Sequence, residues 1–140
     1  MKLILSALAF TLMAFGNSCS KSASKLREGT VVLKFSECES GIISGDKLKL
    51  CFNAVVSDSR CPANAMCIWQ GTAVARFSFT KNDQISTFDL STLDQPPTYN
   101  KDTVLMGYKI EFVNLHPYPG TVPNPIPDSD RKAEIKITKQ

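Results

Sequence analysis

The chain has 140 residues, a formal net charge of +3 and 43% hydrophobic residues, the size and balance of one globular domain with a real core. Its 16 basic and 13 acidic side chains are interspersed without a Lys/Arg cluster, which speaks against nucleic acid or an acidic polymer as partner. Beyond the first fifteen residues no apolar run is long enough to cross a bilayer as a helix.

Met1-Lys2 is a minimal basic start, and Leu3–Phe15 is an apolar run broken only by Ser6 and Thr11. Such a run is too short to span a membrane and reads as an export signal. The following Gly16-Asn17-Ser18-Cys19 resembles a bacterial lipobox, although Gly16 stands where an aliphatic residue is more usual. The resemblance implies a signal peptide over residues 1–18, cleavage before Cys19, and lipid on Cys19 that ties the protein to a membrane. An ordinary secretory signal with a chance Cys is the alternative. Several acyl chains on one Cys would hold far more firmly than a single chain. Residues 19–29 are rich in Ser and Lys and read as a flexible tether, leaving 30–140 as the folded domain.

With Cys19 set aside, Cys38, Cys51, Cys61 and Cys67 remain, an even set in an exported chain, which reads as two disulfides among three connectivities. Ser44-Gly45 sits at the middle of the 38–51 segment as a two-residue turn. If Ile43 pairs with Asp46, the same register sets Cys38 opposite Cys51, on one face of a hairpin and within reach of a bridge. Cys61–Cys67 would then close a tight loop. The spacings fit neither a zinc site nor a Cys-x-x-Cys redox pair.

From Thr30 the pattern is β. Val31–Phe35 is a first strand, and Lys47–Val55 alternates Leu48, Leu50 and Phe52 against Lys47, Lys49 and Cys51. Thr72–Thr80 alternates too, though its small residues leave the inward face open. In Gln84–Leu90, Ile85 and Phe88 are out of phase, so either the strand bulges or one of the two faces outward. Asp94-Gln95-Pro96-Pro97 breaks the chain. Val104-Leu105 with Gly107–Leu115 reads as one strong strand, Tyr108, Ile110, Phe112 and Asn114 opposing Lys109, Glu111, Val113 and Leu115. Pro117–Asp130 holds five of the eight prolines and reads as an extended loop that either covers a sheet edge or faces a partner, with Tyr118, Val122 and Ile126 able to pack inward. Ala133–Thr138 closes the fold, with Ala133, Ile135 and Ile137 on one face. The expectation is an all-β fold, a single small antiparallel β-sandwich or barrel of six or seven strands.

The candidate binding residues are Asp58, Arg60 and Trp69, around the loop Asp58-Ser59-Arg60-Cys61-Pro62…Cys67-Ile68-Trp69-Gln70-Gly71. A guanidinium beside a rigid loop and a Trp is suited to a carboxylate or a sugar. The plainer expectation is that Asp58 caps the turn, that Arg60 pairs with it or stacks on Trp69, and that Trp69 packs in the core or at its rim. This loop, with the later Gly107–Pro119 stretch and the Lys-rich closing strand, resembles a family of small Bacteroidetes-type lipoproteins without established activity. The likeness runs from about Lys47 to the end. It implies lipidation, a β-fold and the Cys61–Cys67 bridge. No acidic cluster follows Cys19, and in lipoproteins of that type this implies the periplasmic side of the outer membrane rather than the cell surface.

Catalysis finds little support. His116 is the single His, no Gly-x-Ser-x-Gly nucleophile accompanies it, and no phosphate-binding Gly loop or metal-binding His cluster is present. The reading is a monomeric, non-enzymatic envelope lipoprotein with no cofactor or metal, binding another envelope protein or a small ligand and no nucleic acid. The alternatives are a protease-inhibitor-like module that offers its 61–67 loop to a cleft and, further off, a hydrolase using His116.

Overall fold

The computed structural model describes residues 26–94 and 98–140. The signal at 1–18, the lipid site Cys19, the first part of the tether and the break at Pro96-Pro97 lie outside the described residues.

Alternation of apolar and polar side chains produces eight strands: β1 (Gly29–Lys34), β2 (Cys38–Ile43), β3 (Asp46–Asp58), β4 (Ala73–Lys81), β5 (Gln84–Ser91), β6 (Asp102–Leu105), β7 (Tyr108–His116) and β8 (Lys132–Lys139). They form two antiparallel four-stranded sheets, ordered β1-β8-β7-β6 and β2-β3-β4-β5. Two open sheets face to face make a sandwich, not a closed barrel. One sheet contributes Leu33, Ile110, Phe112, Leu115, Ile135 and Ile137 to the core, and the other contributes Leu48, Leu50, Phe52, Phe77, Phe79 and Leu90. Phe77 lies at the centre, its ring 5.6 Å from Phe52 and 5.3 Å, edge-on, from Phe112. Removing each such ring from water contributes roughly 2–3 kcal/mol.

The strand count is eight rather than six or seven, and the extra strands have local causes. The stretch 104–115 is a hairpin, not one strand, because Met106 and Gly107 both adopt positive φ (52° and 83°) and reverse the chain between β6 and β7. Ser44 (φ 51°) and Gly45 (φ 85°) do the same between β2 and β3. The resulting register pairs Ile43 with Asp46 and Cys38 with Cys51, as the hairpin argument requires. Phe52 N–H donates to Glu37 C=O next to the bridge, so the two Cys occupy a non-hydrogen-bonded position, their Cα atoms 4.0 Å apart on the outer face.

Two phase problems resolve differently. β4 and β5 pair without a register shift, so β5 does not bulge; Phe88 packs toward Phe77 and Ile85 points out, 70% exposed. In β7 the bulge comes at Val113, which was not foreseen. One extra residue there reverses the face that follows. Leu115 therefore enters the core, fully buried, and Asn114 leaves it. The fold also reaches back into the span read as tether: Leu26 is buried and its N–H donates to Ser40 C=O, and its backbone lies where a side chain at Gly41 would stand.

The sandwich has two ends. One carries the three hairpin turns and the C-terminus, tied together by Tyr108, whose hydroxyl lies 2.7 Å from the Asp46 carboxylate and 3.0 Å from Ile43 C=O. Burial, reinforced by that carboxylate, pushes the Tyr108 hydroxyl up to about 12, while the hydrogen bonds from Tyr108 and Lys81 hold Asp46 below its ordinary value. The other end carries the long 59–72 connection and the Pro-rich segment after β7. That segment joins two strands paired with each other, so it caps an end of the sandwich rather than covering a sheet edge.

Replacing both Cys38 and Cys51 by Ala is expected to lower stability by about 3 kcal/mol, the closure entropy of a loop of this length. Urea denaturation of the oxidised proteins measures it. A change under about 1 kcal/mol would mean that the hairpin register alone holds these strands.

Candidate functional site

The 59–72 connection extends the β3–β4 hairpin beyond the sheet. Ser59 N–H donates to Thr72 C=O at 2.9 Å and Cys61 N–H to Gln70 C=O at 2.8 Å. Below it, the Thr72 and Thr92 hydroxyls meet at 3.0 Å, and Ala73 N–H donates to Thr92 Oγ1 at 3.1 Å. Gly71 is obligatory: its φ is +68°, and a Cβ there would stand 1.8 Å from Ser59 O. The Cys61–Cys67 bridge then closes the outer part of the loop.

Asp58 and Arg60 meet, but not as a ligand grip. The guanidinium lies flat against the carboxylate, Nε to Oδ1 and Nη2 to Oδ2 both at 2.8 Å, and Arg60 is only 6% exposed. Nη1 donates to Leu115 C=O at 2.6 Å and toward Asn114 Oδ1 at 3.4 Å, and Nη2 also points at Pro117 C=O. All five donors thus face protein acceptors. A second guanidinium, Arg131, reaches Asp58 Oδ2 through Nη1 at 2.7 Å. Its Nε lies 3.4 Å from Asp128 Oδ1 without a hydrogen bond. The face of Arg60 stacks on Tyr118, 4.8 Å from the ring centre, and not on Trp69. Burial by itself would raise the Asp58 carboxyl, but the hydrogen bonds from Arg60 and Arg131 outweigh it and hold the group below the ordinary carboxylate range.

Sequence reasoning identified the Asp58–Arg60 pair and missed Arg131, Asn114, Leu115 and Tyr118. Arg131 is 73 residues from Asp58 and no local pattern connects them. The Asn114 contact depends on the bulge at Val113. From the other side the Pro-rich segment braces the loop: Ala63 N–H donates to Pro119 C=O at 2.8 Å, and a Cβ on Gly120 would stand 2.6 Å from Asn64 Oδ1. Tyr118 packs inward as expected, whereas Val122 is 38% exposed.

Trp69 contradicts the expectation of core or rim packing. It is 82% exposed, with Ile68 at 93% and Met66 completely exposed. The reason is steric: five buried rings already fill the core, and Arg60 fastens the base of the loop at the surface, so residues 62–69 have no inward route. Residues 61–71 also contain no charged side chain. The result is an apolar tip of three large side chains on a base fixed by two backbone bonds, a disulfide and a buried ion cluster. Beside it, Arg60, Gln70, Thr92, Leu93, Asn114 and Tyr118 line a small hollow of about 240 Å³. A more apolar hollow of about 440 Å³ lies among Pro117, Val122, Pro123, Pro125 and Ile126.

His116 ends β7 between Leu115 and Pro117, whose carbonyls face Arg60. Among the described residues its Nε2 meets Glu134 Oε2 at 3.1 Å, across the β7–β8 pair. Comparison with protein-family models, curated proteins and solved structures finds no match to this chain.

Two outcomes follow from the ion cluster. Arg60→Ala is expected to cost about 3–5 kcal/mol in chemical denaturation, because it leaves a buried carboxylate with one partner in place of two; a loss below 1 kcal/mol would remove its bracing role. For pH, a carboxyl depressed in the folded state contributes stability that is present above its unfolded value of 3.8 and lost as pH falls through the folded value. Melting temperature should fall below about pH 4 in the native chain, and Asp58→Asn should be less stable at pH 7 with a shallower acid limb. Equal acid slopes would sink this assignment.

Proposed function

We propose that this chain is a non-enzymatic binding module of the bacterial envelope, anchored by lipid on Cys19, that docks through the apolar tip of its disulfide loop. The observation that carries the reading is that Met66, Ile68 and Trp69 stand in water on a loop whose base is held by buried charges. Large exposed apolar patches on a rigid support are features of binding surfaces, and a braced loop loses little entropy when it docks. The lipobox-like Gly16–Cys19 and the likeness of the loop to small envelope lipoproteins support the anchor and the outer-membrane, periplasm-facing location. Asp58 and Arg60 enter this reading as bracing residues rather than as a ligand grip.

The protease-inhibitor-like reading keeps one specific support, the complete exposure of Met66 inside a disulfide-closed loop. Inhibition of proteases with apolar primary pockets, lost in Met66→Asp, would favour it.

Lipidation is tested on the protein from its native envelope. The expected result is a diacyl or triacyl mass on an N-terminal Cys19 and partition into detergent, with Cys19→Ser moving to the aqueous phase. An unmodified Cys19 would overturn the anchor. Docking is tested by the double variant Ile68→Ser/Trp69→Ser, expected to keep its melting temperature while losing retention of envelope partners in cross-linking and co-purification. Unchanged retention would overturn the tip as the contact surface.

A further inference from the structure

We infer that the tip recognises an uncharged apolar cleft on another protein, and that the fold presents it at the end of the domain remote from the anchoring bilayer. This rests on the lipid-anchored reading above. Its first support is where the chain enters. Leu26, the first described residue, sits over Gly41, and Gly41 pairs with Leu48 near the start of β3. From Leu48 to Asp58 the strand advances about 27 Å, because two register shifts leave it opposite only the stretch Lys81 to Ala73 of β4. The loop then continues outward from Asp58. The tether from Cys19 through Lys25 has seven residues and reaches at most about 25 Å when fully extended. An upright domain therefore holds the tip away from the membrane that carries Cys19, and only a domain lying flat would bring it there.

Charge is the second support. Membrane-docking loops pair apolar side chains with Lys or Arg for anionic headgroups. Here residues 61–71 carry no charge, and the nearest guanidinium, Arg60, is buried against Asp58. A neutral tip matches a neutral cleft. The third support is area. Met66, Ile68 and Trp69 together expose roughly 500 Å², within the upper part of the range for the largest patch on a monomer and more than half of one side of a standard interface. Trp is also the residue type most enriched among interface anchors.

Trp69 is the only Trp, so its fluorescence reports on the tip alone. The full-length lipidated protein is placed in phospholipid vesicles with brominated acyl chains. The expected result is strong quenching by aqueous iodide and none by the bromolipid. A benzoylphenylalanine replacing Ile68 in the native envelope is expected to form one discrete protein adduct. That protein, purified and added to the vesicles, should shift Trp69 emission to the blue and screen it from iodide. Trp69→Ala, with unchanged melting temperature, should weaken its binding at least about thirtyfold. Bromolipid quenching would place the tip in the bilayer, and concentration-dependent dimers cross-linked through position 68 would assign it to a second copy. Either result, or no adduct at all, overturns the inference while leaving the anchor intact. Failure of the protein to float with vesicles because Cys19 is unmodified would instead overturn the reading beneath it.

Discussion

The structure at the loop end depends on one buried carboxylate. Asp58 closes β3 and receives two guanidiniums, from the residue two positions on and from the start of the last strand. Arg60 in turn hydrogen-bonds the main chain of the opposite sheet at Leu115. A single ion cluster thus joins the β3–β4 hairpin, the end of β7 and the entry to β8. Buried charges seldom add net stability over a well-packed apolar replacement, yet removing one partner is costly. What the cluster supplies is position. It fixes where the loop leaves the sandwich, and a repacked apolar base would lack the directional bonds that do so.

The exposure of the tip follows from that position. A lone Trp in a small β-domain is ordinarily drawn inward, since it carries the largest apolar area in the chain. Here the core is already closed by Phe52, Phe77, Phe79, Tyr108 and Phe112, and the loop leaves the sheet beyond its last core layer. The hydrophobic effect disfavours the tip in water, and among the described residues nothing covers it. The same constraints that expose Trp69 also brace the backbone on either side of its loop, so exposure and support come from one arrangement.

The features legible in the sequence were those with local causes. Alternation placed Leu48, Leu50 and Phe52 inside, and Ser44-Gly45 set a register that carried Cys38 to Cys51. Both depend on neighbours within a few residues. The misreadings came from elsewhere. Met106-Gly107 looked like the interior of a strand because the apolar pattern resumes in phase across it. The Val113 bulge reversed the faces of Asn114 and Leu115, and single-residue insertions leave no mark in composition. Arg131 could be tied to Asp58 only by knowing that β8 ends up beside β7. Trp69 was misplaced by a size argument that is sound for strands and fails for a loop fastened at its base.

The two ends of the sandwich complete the argument, because each ties its sheets together by a carboxylate in a different setting. At the turn end, Asp46 meets Tyr108 and Lys81 at a partly exposed rim, and the chain beyond is short turns with Ile42, Ile85 and Val104 exposed on the strands beside them. At the loop end the ion cluster is buried, the Arg60 donors are all occupied, and the long connection above it is uncharged. Asp58 with Arg60 and Arg131 carries one net positive charge, which the Asp128 carboxylate beside Arg131 balances, so the cluster leaves little field at the surface. On the binding-module reading proposed above, selectivity at this end rests on shape and on the three tip side chains. That division, with charge inside for position and apolar groups outside, accounts for a loop rich in structural devices.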